Sequence, residues 1–277
     1  MIESFIITFR ETLEAALIVG IILSYLARTK QTRYNNVVYT GIASGIVVSI
    51  IGAFLFNYLA GGFTGRAEKI FEGIIMLVGA FLLTTMIFWM MKQKHVAREL
   101  EHKVAAKITE MYKAGLFLLV FAAVLREGIE TVIFLGAASF VSTNNNLIGA
   151  FVGIIAAIFL GYAIFIGSMK IDIRKFFNIT SIILILFAAG LVAHGVHEFQ
   201  EAKLIPTVIG SVWDINPLIN PDGTYPLLHE NGYIGSIAKG LFGYNGNPSL
   251  IEVLSYLAYL IIVFLLWKNI EKVHEVI

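Results

Sequence analysis

The 277-residue sequence has no cysteine, which removes disulfides, thiolate metal sites and cysteine nucleophiles together. Any metal must then bind through oxygen or imidazole. Charge is scarce: 14% of residues are Asp, Glu, Lys or Arg against 58% hydrophobic, and mean hydropathy is +0.82. That balance lies outside the range of a soluble globular domain and makes lipid the solvent for most of the chain. Proline is confined to Pro206, Pro217, Pro221, Pro226 and Pro248, so no long apolar run is broken by it. Residues 1–4 lack the basic stretch of a secretory leader and lead straight into an apolar segment with charges at its centre, which is expected to be mature protein. The net charge of +1 points to no acidic partner, and no nucleic acid is expected.

What the chain does have is seven apolar runs, each long enough to cross roughly 30 Å of hydrocarbon. They span about 2–27, 37–60, 69–91, 115–140, 146–169, 178–196 and 249–268. Arg28, Lys30 and Arg33, the six Lys and Arg between Lys92 and Lys113, Lys170, Arg174 and Lys175, and the tail residues Lys268 and Lys272 all fall on one side. The other side holds only Arg66, Lys69, Lys203 and Lys239. The positive-inside rule then puts the N-terminus outside and the C-terminus in the cytoplasm of a plasma-membrane protein. Val96, Leu100, Val104, Ile108 and Met111 recur at helical spacing among charges, so 92–113 is expected to be an amphipathic cytoplasmic connector. The segment 205–248, rich in Pro, Gly and Asn but also in aromatics, is expected to pack as an external cap.

An internal repeat is visible. Span one carries Arg10-Glu11-Thr12-Leu13-Glu14 and span four Arg126-Glu127-Gly128-Ile129-Glu130; span two opens with Gly41, Gly45 and Gly52, span five with Gly149, Gly153 and Gly161. Three spans per copy is an odd number, so the copies (1–91 and 114–204) must be inverted relative to each other. The expected architecture is therefore all-α: an integral membrane protein of seven transmembrane helices, an inverted repeat of 3+3 spans plus a seventh at 249–268. The small residues suit close helix packing.

Positions i, i+1 and i+4 of a helix point to about 0°, 100° and 40°, so Arg10, Glu11 and Glu14 share a sector, as do Arg126, Glu127 and Glu130. A charged side chain at a helix centre costs about 2.5–3.5 kcal/mol on the insertion scale, so six of them must face the bundle interior and one another. Four carboxylates against two guanidinium groups leave a net charge of −2, attractive to a multivalent cation. Each Arg can hold the Glu four residues on by charge-assisted hydrogen bonds. A pure register-fixing ion pair would not need the excess negative charge. Oxygen ligation admits Mg, Ca, Mn or iron, and ligand hardness does not choose among them. A di-iron carboxylate enzyme would place Glu-x-x-His on its helices, and neither motif does.

Together with Phe71-Glu72-Gly73, Trp89-Met90, His197-Glu198-Phe199-Gln200-Glu201-Ala202, Leu241-Phe242-Gly243-Tyr244 and Pro248-Ser249-Leu250, the paired motifs resemble the high-affinity iron permeases, or oxidase-dependent iron transporters. The resemblance implies a seven-span permease, not an enzyme, with iron as transported substrate and no organic cofactor. It implies iron bound by Glu11, Glu14, Glu127 and Glu130, with Arg10 and Arg126 tuning the charge, and passage by alternating access. It implies a partner, a ferroxidase or an extracytoplasmic iron-delivery protein. Mn(II) or another divalent ion is the alternative cargo. His194, His197, Glu198 and Glu201 lie on one stripe at the outer end of span six, with Glu72 at the outer end of span three; this set could capture metal before it reaches the membrane.

Overall fold

Backbone polar groups cannot stay unpaired in hydrocarbon, so each apolar run must close its hydrogen bonds within itself, and each does so as an α-helix. The computed structural model describes residues 2–92, 113–141, 146–165, 173–220 and 224–275. Within them the chain forms α1 (Ile2–Arg28), a 3₁₀ turn (Thr32–Tyr34), α2 (Asn35–Ala60), α3 (Arg66–Lys92), α4 (Ala114–Val141), α5 (Asn146–Phe165), α6 (Ile173–Glu201), α7 (Tyr233–Phe242) and α8 (Leu250–Glu275). No strand occurs among the described residues. Most of the expected amphipathic connector, 92–113, lies outside them.

Among the described residues, five stretches are long and apolar enough to cross a membrane: Thr32–Ala60, Arg66–Met90, Leu147–Ile164, Phe177–Glu201 and Leu250–Asn269. α1 and α4 are as long, at 27 and 28 residues, but each is interrupted by its own charged motif. This multi-pass membrane protein thus carries an Arg-Glu-x-x-Glu motif in the middle of each of these two helices. Several helices run past the apolar limits read from sequence. α6 extends to Glu201 rather than residue 196, because hydropathy marks the part that needs lipid, while a helix continues into polar residues as long as its hydrogen bonds do.

α1 packs most closely along α5, α2 along α4 and α3 along α6; α1 also meets α4, and α8 lies against α6. Glycine sets the approach of the first two pairs. A Cβ at Gly45 would stand 3.0 Å from Val124 Cβ and 3.3 Å from the nitrogen of Leu125, the residues two and one before Arg126. A Cβ at Gly153 would press on Thr8 and stand 3.0 Å from the nitrogen of Phe9, the residues two and one before Arg10. Thr8 Oγ1 also donates across to the Ala150 carbonyl at 2.9 Å. Gly41 repeats the arrangement against Val120, and Gly161 approaches Ala16; Gly52 meets nothing within 4 Å.

The inner faces close into apolar clusters. One joins Ile7 of α1, Met76, Leu83, Met86 and Ile87 of α3, Phe134 of α4 and Leu184 and Leu191 of α6. Outward, α2 exposes Ile51, Phe54 and Tyr58, and α5 exposes Leu147, Phe151 and Phe159, an apolar exterior suited to lipid. Within 205–248, the segment expected to pack as an external cap, the structure forms α7, which lies against α6 and α1. Its end is fixed by Gly243 at φ +67°, whose N–H bonds the Lys239 carbonyl at 3.0 Å. Gly243 and Gly190 of α6 lie backbone to backbone, so neither place has room for a Cβ.

Gly243→Ala therefore meets both a left-handed backbone, which disfavours a Cβ by roughly 1–2 kcal/mol, and the α6 backbone. A lower midpoint of thermal unfolding in detergent is expected, with a larger drop for Gly190→Leu.

Candidate metal centre

α1 and α4 bring their charged sectors together. Arg10 has no exposed surface and Glu11 and Glu127 are buried. Arg10 Nη1 donates to Glu11 Oε1 at 3.0 Å, and Nη2 lies 3.1 Å from Glu14 Oε1. Two further acceptors come from α3: Met86 Sδ takes Nη1 at 3.0 Å and Met90 Sδ takes Nη2 at 3.1 Å. The guanidinium carbon stands 6.0 Å from the centre of the Phe177 ring. The second arginine sits differently. Arg126 Nη2 and Nε both donate to Glu127 Oε1, at 2.6 and 3.0 Å, and Nε lies 3.5 Å from Glu130 Oε1. Its side chain is 47% exposed and lies 5.3 Å from the centre of the Trp89 ring, within cation–π range.

Of the four motif glutamates, Glu11, Glu127 and Glu130 each present an oxygen such that all three lie within 4.8 Å of one another. Oε2 of each is buried without a hydrogen-bond partner. Three carboxylates this close are costly unless a cation or a shared proton joins them, and an all-oxygen set suits a hard or borderline divalent or trivalent ion. Glu14 stands outside that triad, held by Arg10. Met86, Met90 and Trp89 are the neighbours that sequence did not single out as functional. Methionines at i and i+4 of an apolar helix carry no mark that separates them from core.

The outer set is arranged around a cation the protein supplies itself. Lys69 Nζ lies 3.8 Å from Glu72, 3.0 Å from Glu198 and 3.1 Å from Glu201. Close approach of α3 and α6 at Gly73 and Gly195 brings these groups together. His197 lies between Glu201, 3.2 Å from Nε2, and Glu252, 3.0 Å from Nδ1. His194 is apart from them, buried, with Nδ1 2.9 Å from the Gly190 carbonyl oxygen. Glu252 was not foreseen as part of this set, though its signal exists. Ser249-Leu250-Ile251-Glu252 is a capping box: the Ser249 N–H donates to Glu252 Oε1 at 3.0 Å and the Glu252 N–H to Ser249 Oγ at 3.3 Å.

Fold and site together define a polytopic helical membrane protein with a carboxylate centre buried among its helices. Residues 1–274 match the Iron permease FTR1 family, and the chain belongs to that family: it is a membrane transport protein and not an enzyme. Its relatives include the ferrous iron permease EfeU of Yersinia pestis, 36% identical over 265 residues, 94% of this chain and 91% of that protein. EfeU of Yersinia pseudotuberculosis serotype I is 37% identical over 261 residues, 93% of this chain and 88% of that one. An uncharacterized protein of Archaeoglobus fulgidus is 33% identical over 260 residues, 94% and 92% of the two chains. No solved structure matches.

Removing the ammonium leaves Glu72, Glu198 and Glu201 facing one another. Lys69→Met is expected to lower stability by roughly 1–3 kcal/mol, the cost of stranding partly buried acids. Millimolar Mn(II) should recover part of that loss in the variant and little in the parent, read as thermal unfolding in detergent.

Proposed function

We propose that this chain imports iron across the plasma membrane, with Glu11, Glu127 and Glu130 as the first ligands of the ion and Glu14 completing the set. The observation that carries this reading is the convergence of three carboxylates from two separate helices, with one oxygen of each within 4.8 Å of the others, and each keeping a buried oxygen without a hydrogen-bond partner. The names of the EfeU relatives, ferrous iron permeases, favour iron over Mn(II) as cargo.

The architecture of this reading is seven spans, α1 to α6 and α8, with α1–α3 and α4–α6 as inverted copies around the carboxylates. Two features support it. The close helix pairs α1–α5 and α2–α4 exchange with each other when the copies are exchanged, while α3–α6 and α1–α4 map onto themselves. The glycine contacts also agree in register, since Gly45 and Gly153 each meet the two residues preceding a motif arginine. With the N-terminus outside and the C-terminus in the cytoplasm, the ion enters from the outer ends of α3, α6 and α8 and leaves past Glu14 at the cytoplasmic side of the motif in α1. Opening alternates between the two sides as one copy shifts against the other around the bound ion.

The outer rim of Glu72, Glu198, Glu201 and His197 is the natural first stop, and capture there begins by displacing Lys69. A ferroxidase or an extracytoplasmic delivery protein would hand iron over at this face.

Glu11→Gln and Glu127→Gln keep shape and remove charge. Since loss of an outer-shell partner alone typically costs a metal site about 10–100-fold, each substitution should lower iron uptake into liposomes by at least about tenfold. Uptake at the parental rate by both variants, with normal amounts of protein in the membrane, sinks the proposal.

A further inference from the structure

The turn of α3 from Met86 to Met90 touches both motif arginines, although none of its residues belongs to the paired Arg-Glu-x-x-Glu motifs. Its contact with Arg10 is the more specific. Each terminal nitrogen of that guanidinium lies against one carboxylate oxygen and one thioether. Nη1 donates to Glu11 Oε1 at 3.0 Å and to Met86 Sδ at 3.0 Å. Nη2 donates to Met90 Sδ at 3.1 Å and stands 3.1 Å from Glu14 Oε1 as an ion pair without hydrogen-bond geometry. Methionines four residues apart lie on one face of a helix, so a single face of α3 delivers both sulfurs.

We propose that Met86 and Met90 are positioning residues for ion binding, holding Arg10 so that it takes only one oxygen from Glu11 and leaves the other for the ion. This rests on the permease reading above. Arg126 leaves Glu127 Oε2 free by giving both Nε and Nη2 to Oε1. Arg10 gives Glu11 only Nη1, and without other acceptors its second terminal nitrogen is free to turn onto the same carboxylate and occupy both oxygens. A thioether prevents that at little electrostatic cost. It is a neutral, weak acceptor, so it occupies an N–H without cancelling the guanidinium charge and without adding a negative charge beside the site. Glu11 Oε2, the oxygen thus spared, is buried and unpartnered, and Glu11 is one of the three glutamates that bring an oxygen within 4.8 Å of one another.

Packing alone makes the opposite prediction. Met86 belongs to the buried apolar cluster, and a Met-to-Leu exchange conserves volume, so a core role tolerates Leu well and Gln badly. A role as acceptor tolerates Gln, whose amide oxygen has similar reach, and fails with Leu. The full-length chain reconstituted in liposomes, with Fe(II) kept reduced by ascorbate, separates the two through KM and Vmax. The double variant Met86→Leu/Met90→Leu should raise KM about tenfold with Vmax little changed, and Met86→Gln/Met90→Gln should stay within about threefold of the parent, following the usual size of outer-shell effects. A parental KM in the Leu variant overturns the proposal, whether or not the Gln variant folds. If both variants lose their preference for Fe(II) over Mn(II), the sulfurs are ligands and the positioning role is overturned. Glu127→Gln in the same assay tests the permease reading separately: with uptake lost there, an unchanged KM in the Leu variant removes only the role of the methionines.

Discussion

A guanidinium with no exposed surface, inside a bundle surrounded by lipid, sets the terms for everything near it. Arg10 cannot shed its proton and cannot reach water, so its donors must be met by the protein. Glu11 on its own helix and Met86 and Met90 of α3 accept from its terminal nitrogens, and Glu14 pairs with it by charge at 3.1 Å. The carboxylates then need further positive charge, and they turn toward α4, where Glu127 and Glu130 bring more negative charge instead. Four carboxylates against two guanidinium groups leave the cluster with an excess of negative formal charge. In the reading proposed above, the cargo offsets it.

The two motifs share a pattern and differ in setting. Arg10 is sealed by Met86, Met90 and Phe177; Arg126 is half exposed and lies against Trp89. Glu14 is held away from the triad, while its counterpart Glu130 is part of it. Identical spacing therefore does not produce identical roles. The helix fixes the sector in which each side chain points, and the neighbours supplied by α3 and α6 decide what it meets there.

Much of this was legible from sequence, because the signals involved are local. Apolar length gave the long helices, and the cost of burying six charges required α1 and α4 to face each other. Helical spacing placed Arg10 beside Glu14 and Arg126 beside Glu130, as the 3.1 and 3.5 Å approaches show. What stayed hidden depends on contacts between distant segments. Nothing in the 86–90 stretch says that its sulfurs meet a guanidinium. Lys69 reads as an ordinary helix-end lysine until α6 brings Glu198 and Glu201 to it. The short helix α7 needed Gly243 and Gly190 to be recognised as partners 53 residues apart in the chain.

The pairing of each motif helix with an apolar neighbour has a bearing on how the protein is made. Chain order makes the two pairs unequal during synthesis. α4 emerges after its companion α2, so Arg126, Glu127 and Glu130 enter a membrane where a covering helix already waits. α1 emerges before its companion α5, which follows more than a hundred residues later. Until α3 and α4 arrive, the Arg10–Glu11–Glu14 group has only itself for neutralisation, and the i, i+1, i+4 spacing lets α1 shelter its own charge.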